Sequence, residues 1–282
     1  MWLSSQRNPH PPEKPCPVRV GPSNTPFVAD KLKDPSSLHS AGNAIRNDAG
    51  TDDGLPPKLR FRDRNSLLDL IKLCRKERNL VKARSIHADV VKKRLLVKSK
   101  NISIANALIT TYAKCDALED ARALFDELPI HNVVSWNALI SGYVQNGLNH
   151  EALSYFKKMQ DNKAINPNAI TYVCMLKACG SIGSLKLGEE IHEEVNRRGL
   201  LQTDVVLGTA LVDMYAKCGM LEKAQEVFED LPNRNVVTWS AMIGGYTLHG
   251  NHEAALQSFK DMKHQGLKPD DVMFISLIYT CA

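Results

Sequence analysis

The sequence predicts an all-α fold, an α-solenoid superhelix of stacked helix-turn-helix repeats. Three observations predict it. Residues 205–270 read as two back-to-back units, each with an apolar-rich segment, a Gly-marked turn, an amphipathic segment and a Pro near its end. The same two units stand 103 residues earlier, so that Tyr-Ala-Lys-Cys at 112–115 returns at 215–218 and Trp136 returns as Trp239. Units starting at Ile102, Val133, Ala169, Val205, Val236 and Asp271 are spaced by 31, 36, 36, 31 and 35 residues, an alternation of three unit types. A helix pair of this length cannot bury its apolar face alone. Stacked side by side, such pairs form one continuous core and a superhelix with a concave groove.

Residues 1–63 are different material. Ten of the fourteen prolines lie from Pro9 to Pro57, no 3.6-residue period develops, and the segment reads as disordered. Arg7, Lys14, Arg19 and several Ser also fit an organelle transit segment, although Pro9, Pro11, Pro12, Pro15 and Pro17 would break a presequence helix. Residues 64–101 form the first helix pair, with Leu67, Leu68, Leu70, Ile71 and Cys74 on one stripe and Leu80, Ala83, Ile86, His87 and Val90 on the other. The cations Lys92, Lys93, Arg94, Lys98 and Lys100 follow. They fit a solvated helix end or a phosphate contact.

In the second pair, 102–132, Ala107, Leu108, Tyr112 and Ala113 face inward, then Leu118, Ala121, Leu124, Phe125 and Leu128, with Pro129 as the stop. The third pair, 133–168, packs Val134, Trp136, Leu139, Ile140 and Tyr143, turns at Gly147, and packs back through Ala152, Leu153, Phe156 and Met159. The fourth pair, 169–204, carries Tyr172, Met175, Leu176 and Cys179, then Leu185, Ile191, His192 and Val195. Pairs five and six, 205–235 and 236–270, repeat the second and third. Residues 271–282 start a seventh through Phe274, Leu277, Ile278 and Cys281. A half-repeat exposes its apolar face, so this stretch is expected either to fray or to belong to a longer protein.

Bulk composition narrows the function. The net charge of +5, from 36 basic and 31 acidic residues, permits a polyanion partner without demanding one. No run approaches 18 apolar residues, so no transmembrane helix is expected. Seven cysteines show no disulfide spacing. Cys74, Cys115, Cys179, Cys218 and Cys281 recur near the ends of first helices and are expected as small buried residues in a reducing compartment. HExxH, GxSxG, Walker and dinucleotide-binding patterns are all missing, so no catalytic residue, metal or cofactor is expected. His87 and His192 repeat at equivalent places in different units and read as structural, since a metal needs convergent ligands. Trp136 and Trp239 read as packing aromatics between first helices, because Tyr172 and Phe274 stand at the same place in other units. A base-stacking platform is the other reading of an aromatic here.

Two positions stand out. The fifth residue of each unit runs Leu68, Asn106, Asn137, Val173, Thr209, Ser240 and Ile275, mixing small polar residues into apolar helix starts. The last residue runs Asn101, Asn132, Asn168, Asp204, Asn235 and Asp270. Such side chains offer one or two hydrogen bonds to a base edge. Helix capping accounts for the last position and leaves the fifth unexplained.

With these residues in view, 64–282 resembles pentatricopeptide repeats of the plant type that alternates P, L and S forms. Asn-Ala-Leu-Ile at 106–109 with Tyr-Ala-Lys-Cys at 112–115 is similar to the short form, and so is Thr-Ala-Leu-Val at 209–212 with Met-Tyr-Ala-Lys-Cys-Gly at 214–219. Val-Val-Ser-Trp-Asn-Ala-Leu-Ile-Ser-Gly-Tyr at 133–143 and its partner at 236–246 are similar to the 35-residue form. Leu-Lys-Ala-Cys at 176–179 with Gly-Glu-Glu-Ile-His at 188–192 is similar to the long form, which 64–101 matches more loosely. The resemblance thus orders the units as L-like 64–101, S 102–132, P 133–168, L 169–204, S 205–235, P 236–270 and a truncated L at 271–282. It implies a sequence-specific reader of single-stranded RNA, one base per repeat, with base-reading pairs Asn106/Asn132, Asn137/Asn168, Val173/Asp204, Thr209/Asn235 and Ser240/Asp270.

By the pattern of that family, Asn with Asn favours a pyrimidine, Thr with Asn favours A and Ser with Asp favours G. The apolar Val173 and Leu68 discriminate little. The implied core is pyrimidine–pyrimidine–any–A–G, 5′ to 3′. Relatives with alternating repeats act in mitochondria or chloroplasts, the mitochondrion being preferred here, in C-to-U RNA editing. The deaminase signatures H-x-E and P-C-x-x-C are missing. The chain is therefore expected to bind and not to edit, with editing cofactor proteins or a deaminase supplied in trans, and with no DNA and no membrane partner. A peptide-binding helical-repeat scaffold of the tetratricopeptide kind is the alternative.

Overall fold

The computed structural model describes residues 64–96, 101–162, 164–271, 273–275 and 278. The expectations for 1–63, Lys98, Lys100, Leu277 and Cys281 fall outside the described residues. Among the described residues every regular element is helical. Twelve α-helices run in order: α1 (Arg64–Glu77), α2 (Leu80–Lys92), α3 (Ile102–Lys114), α4 (Leu118–Asp126), α5 (Val133–Gln145), α6 (Asn149–Asp161), α7 (Ala169–Ile182), α8 (Leu185–Arg197), α9 (Val205–Lys217), α10 (Leu221–Asp230), α11 (Val236–Leu248) and α12 (His252–His264). A 3₁₀ turn at Leu200–Gln202 precedes α9, and residues 271, 273–275 and 278 are helical.

Each hairpin closes in one way. The first or second residue after the first helix takes a positive φ, and the next N–H donates back five residues along the chain. Arg78, Asp116, Gly147, Gly183, Gly219 and Gly250 have φ of 51°, 58°, 73°, 68°, 79° and 70°. The bonds are Asn79 N to Cys74 O, Ala117 N to Tyr112 O, Leu148 N to Tyr143 O, Ser184 N to Cys179 O, Met220 N to Tyr215 O and Asn251 N to Tyr246 O, 2.9–3.0 Å long. This Schellman closure satisfies carbonyls that the helix end leaves open. Asp116 fills the place of Gly219 because its short side chain tolerates the left-handed region.

Odd-numbered helices form a continuous layer, α1 on α3, α3 on α5 and so on to α11. Each even-numbered helix from α2 to α10 packs on its own hairpin partner and on the next odd one, and α12 packs on α11. An odd helix therefore has neighbours on most sides: α9 buries Leu207, Gly208, Ala210, Leu211, Val212, Met214, Tyr215 and Ala216. An even helix has one apolar stripe, and α10 buries only Ala224, Val227 and Phe228. Each large aliphatic so buried contributes about 1.5–3 kcal/mol. Small residues let the odd helices approach. A Cβ on Gly142 would lie 2.6 Å from Ala113 Cβ, and one on Gly245 would lie 2.5 Å from Ala216 Cβ.

Four expectations need correction. Val134, placed in the core stripe, is 53% exposed, because the second residue of an odd helix points out of the layer. Trp136 and Trp239 are buried, though not between first helices. Trp136 meets Phe125 of α4 edge-on at 4.9 Å and lies 6.4 Å from Tyr155 of α6. Trp239 meets Phe228 of α10 at 4.7 Å. Cys74 and Cys179 are buried, whereas Cys115 and Cys218 are half-buried, since each of the latter two is a C-cap residue at a helix end. Phe274, read at the core place of Trp136, is exposed while Met273 is buried; Ile278 is exposed as expected of a half-repeat, with no second helix over that face among the described residues.

The close approach of α3 and α5 is testable. Gly142→Val forces its side chain into Ala113 and is expected to destabilise the chain by about 1–3 kcal/mol. Adding Ala113→Gly should recover part of the lost melting temperature, as coupled neighbours do.

Candidate nucleic-acid interface

The last residue of a unit is the N-cap of the next odd helix. Asn132 Oδ1 accepts from Ser135 N at 2.9 Å, Asn168 Oδ1 from Thr171 N at 3.2 Å, and Asn235 Oδ1 from Thr238 N at 3.0 Å. Asp204 Oδ1 accepts from Val206 N and Leu207 N at 3.0 and 3.1 Å, and Asp270 Oδ1 from Met273 N at 2.9 Å. Asn132 and Asn168 complete capping boxes with Ser135 and Thr171. Asn101 departs from the pattern: it makes no side-chain cap and donates Nδ2 to Leu95 O instead.

Capping places each of the caps from Asn132 on at the mouth of an odd helix, where the fifth residue of its own unit can meet it. Asn137 Nδ2 donates to Asn168 Oδ1 at 2.9 Å, and Ser240 Oγ donates to Asp270 Oδ1 at 3.3 Å. Asn106 Nδ2 reaches Asn132 Oδ1 at 3.5 Å. Thr209 approaches Asn235 through a third group, Thr238, whose hydroxyl lies 2.8 Å from Thr209 Oγ1 and 3.1 Å from Asn235 Oδ1. Val173 has no hydrogen-bonding group to offer Asp204, whose Oδ1 serves Val206 N and Leu207 N. The structure thus brings together four of the five pairs, one of them by relay. Asn106 and Asn137 are 8% and 7% exposed, while Asn168 and Asn235 are exposed.

Sequence reasoning missed the second residue of the unit. Val134, Ile170, Val206 and Val237 are 53%, 60%, 62% and 60% exposed. Four β-branched side chains at one register, left in water beside the fifth residues, form a repeated apolar rim suited to flat rings. The signal is an apolar residue two places after the cap, which at Val134 reads as core. Between α9 and α11 a cleft of about 470 Å³ joins Val206, Thr209, Val237 and Ser240, with Lys177 and Lys217 on its border. Lys217 is held by Asp213 at 2.7 Å. Hydrogen-bonding groups, apolar edges and cations in one groove are what a single-stranded nucleic acid requires.

A second cleft, about 650 Å³, has the opposite character. His192, Tyr215 and the carboxylates Glu189, Glu193, Glu226 and Asp230 line it, and that charge disfavours a polyanion. There the repeated histidine has a structural partner: His192 Nδ1 lies 2.9 Å from Tyr215 Oη, as His87 Nδ1 lies 2.9 Å from Tyr112 Oη. Burial holds both imidazoles below the ordinary 6.5, with Asp120 and Glu127 opposing at His87. At His192, Lys223 adds to burial while Glu193 and Asp230 oppose. Burial pushes the Tyr112 and Tyr215 hydroxyls up to about 12. Among the described residues no group of three His, Cys, Asp or Glu could hold a metal ion, and no helix is long and apolar enough to cross a membrane.

Comparison with known proteins places these repeats. A model described as PPR repeat family matches residues 131–181 and 234–282, and one described as PPR repeat matches 103–133, 170–200 and 209–236. The Arabidopsis thaliana pentatricopeptide repeat-containing protein At4g30700 is 41% identical over 198 residues, 70% of this chain and 24% of that protein. Another from Arabidopsis thaliana, At3g26782, mitochondrial, is 36% identical over 224 residues, 79% of this chain and 33% of that one. The chain therefore spans a quarter to a third of the length of these relatives. Maize pentatricopeptide repeat protein PPR10, solved in complex with an 18-nt psaJ RNA element, has the same fold, with a TM-score of 0.58 at 18% identity over 80% of this chain and 38% of that chain.

The histidines yield a signed prediction. Their folded pKa lies below the unfolded 6.5, so the stability of the neutral rings is present above that value and lost as pH falls through it. The melting temperature should fall between about pH 7 and about pH 5, and His87→Gln with His192→Gln should flatten that fall. An equally steep fall in the double variant would assign it to other groups.

Proposed function

The chain belongs to the pentatricopeptide repeat family, and we propose that it binds single-stranded RNA along the layer of odd-numbered helices, one base per repeat. The observation that carries this reading is the convergence of fifth and last residues at each helix mouth, as Asn137 meets Asn168 at 2.9 Å. The exposed rim of Val134, Ile170, Val206 and Val237 supports it, since the pairs Asn137/Asn168, Val173/Asp204 and Thr209/Asn235 are each flanked by two apolar edges that would hold a base between neighbouring repeats. PPR10, of like fold, was solved with RNA. In this reading Asn106/Asn132 and Asn137/Asn168 take pyrimidines, Val173/Asp204 discriminates little, Thr209/Asn235 takes A and Ser240/Asp270 takes G.

The biological role we propose is recognition of a C-to-U editing site in organellar RNA, with the deaminase and any editing cofactor proteins acting in trans. Relatives named as mitochondrial favour the mitochondrion. The repeats 64–101, 102–132, 133–168, 169–204, 205–235 and 236–270 are the reading units.

Titration with RNA oligonucleotides bearing CCNAG or UUNAG, at about 0.15 M salt, tests the proposal against a scrambled control. The core sequences should bind roughly tenfold more tightly. The variant Thr209→Asn with Asn235→Asp should move the fourth-base preference from A to U. Equal weak binding to every oligonucleotide would instead favour a peptide-binding scaffold.

A further inference from the structure

Two repeats carry the same Asn, Asn pair, and their geometry differs. At 133–168 both amides are pinned. Thr171 N caps its helix on Asn168 Oδ1 at 3.2 Å, which makes that oxygen an acceptor. Asn137 must then turn Nδ2 towards it, at 2.9 Å, and this carries Asn137 Oδ1 to within 2.7 Å of Thr171 Oγ1. Thr171 is fully buried, and its one hydroxyl proton goes to the nearer oxygen, since Asn168 Oδ1 is 3.1 Å away and already has two donors. Turning the Asn137 amide over would set two carbonyl oxygens 2.9 Å apart. Asn137 Oδ1 is held on the buried Thr171 hydroxyl, so what remains for a ligand is chiefly one N–H of Asn137 and both of Asn168, a donor-rich surface.

The repeat 102–132 lacks this lock. Its counterpart of Thr171 is Ser135, whose hydroxyl reaches Asn132 Oδ1 at 3.1 Å and goes no further. Asn106 Nδ2 is at the limit of a hydrogen bond, 3.5 Å, and Asn106 Oδ1 is buried without a partner. Thr238 repeats the device for Thr209. If Thr238 donates to Asn235 Oδ1, it accepts from Thr209, which leaves Thr209 a lone pair to present beside the Asn235 N–H. That acceptor beside a donor suits the amino group and ring nitrogen of adenine.

We infer that the third residue of the following repeat is a specificity-setting positioning residue: the buried hydroxyl of Thr171 fixes the Asn137 and Asn168 amides as donors. The inference rests on the RNA-binding reading and refines it. Cytosine presents two adjacent acceptors, O2 and N3, to a donor-rich pair, whereas uracil presents an N3–H. The 133–168 repeat therefore selects cytosine, and 102–132, with its loosely held Asn106, takes cytosine or uracil.

The test uses the full chain and RNAs with CCNAG, CUNAG and UCNAG cores. The wild type should prefer C over U at the second base by roughly fivefold, the worth of one hydrogen bond, and show little preference at the first. Thr171→Val keeps the shape and removes the hydroxyl. It should erase the second-base preference while leaving the A preference at the fourth base intact, which general loosening of the fold would not do. The reciprocal Ser135→Thr should create a C preference at the first base. Unchanged ratios in both variants overturn the inference. In the RNA-free protein, side-chain amide exchange measured by NMR should be slower at Asn137 than at Asn106, and Thr171→Val should remove the difference. Equal exchange in the wild type overturns the pinning whatever RNA does. Slow exchange at Asn137 with equal binding of every RNA overturns the RNA reading, and base selection with it, while the pinning stands.

Discussion

The array from the second repeat on depends on one interaction, the side-chain oxygen that ends each repeat accepting the backbone N–H at the third position of the next helix. Four N–H groups are open at a helix start, and a buried one left unpaired costs about 1–3 kcal/mol. Asn132, Asn168, Asp204, Asn235 and Asp270 meet that demand with one atom each. The bond also fixes the side chain's direction. The Oδ1 committed to the helix also accepts from the fifth residue of its own repeat at Asn168 and Asp270, so the remaining polar atoms of the cap are left to the groove. A structural need of the fold thereby sets the chemistry of the groove.

Two further constraints keep those groups in register. The shared hairpin closure, with positive φ from Arg78 to Gly250, returns every even helix across its partner at the same place. Close approach at Gly142 with Ala113 and at Gly245 with Ala216 draws the odd helices together. Aromatic residues hold the other side: Trp136 and Trp239 seat on Phe125 and Phe228 of the preceding even helices. One face of each odd helix start is thus committed to the core, and the adjacent face, with Val134, Val206 and Val237, is left to solvent.

Helix pairs, turns and caps were legible in the sequence because each is local. A period of 3.6, a Gly or Asp at the hairpin, and an Asn before an apolar run act within one unit. What could not be read is set by neighbours. Val134 and Leu139 look alike as apolar residues on one helix, and only the packing of α3, α6 and α7 around α5 leaves the first in water and the second fully buried. Trp136 was legible as buried, but its partners come from other helices. In the groove, residue types at the fifth and last positions were legible. The hydroxyls of Thr171 and Thr238 that connect them were not, since a Thr early in a helix reads as an ordinary cap partner.

Hydrogen exchange of the chain with and without a CCNAG oligonucleotide tests the central claim most directly. The account predicts added protection at the first turns of α5, α7, α9 and α11, with the even helices unchanged. Protection concentrated on α8 and α10, around His192 and Glu226, or none at all, would contradict it.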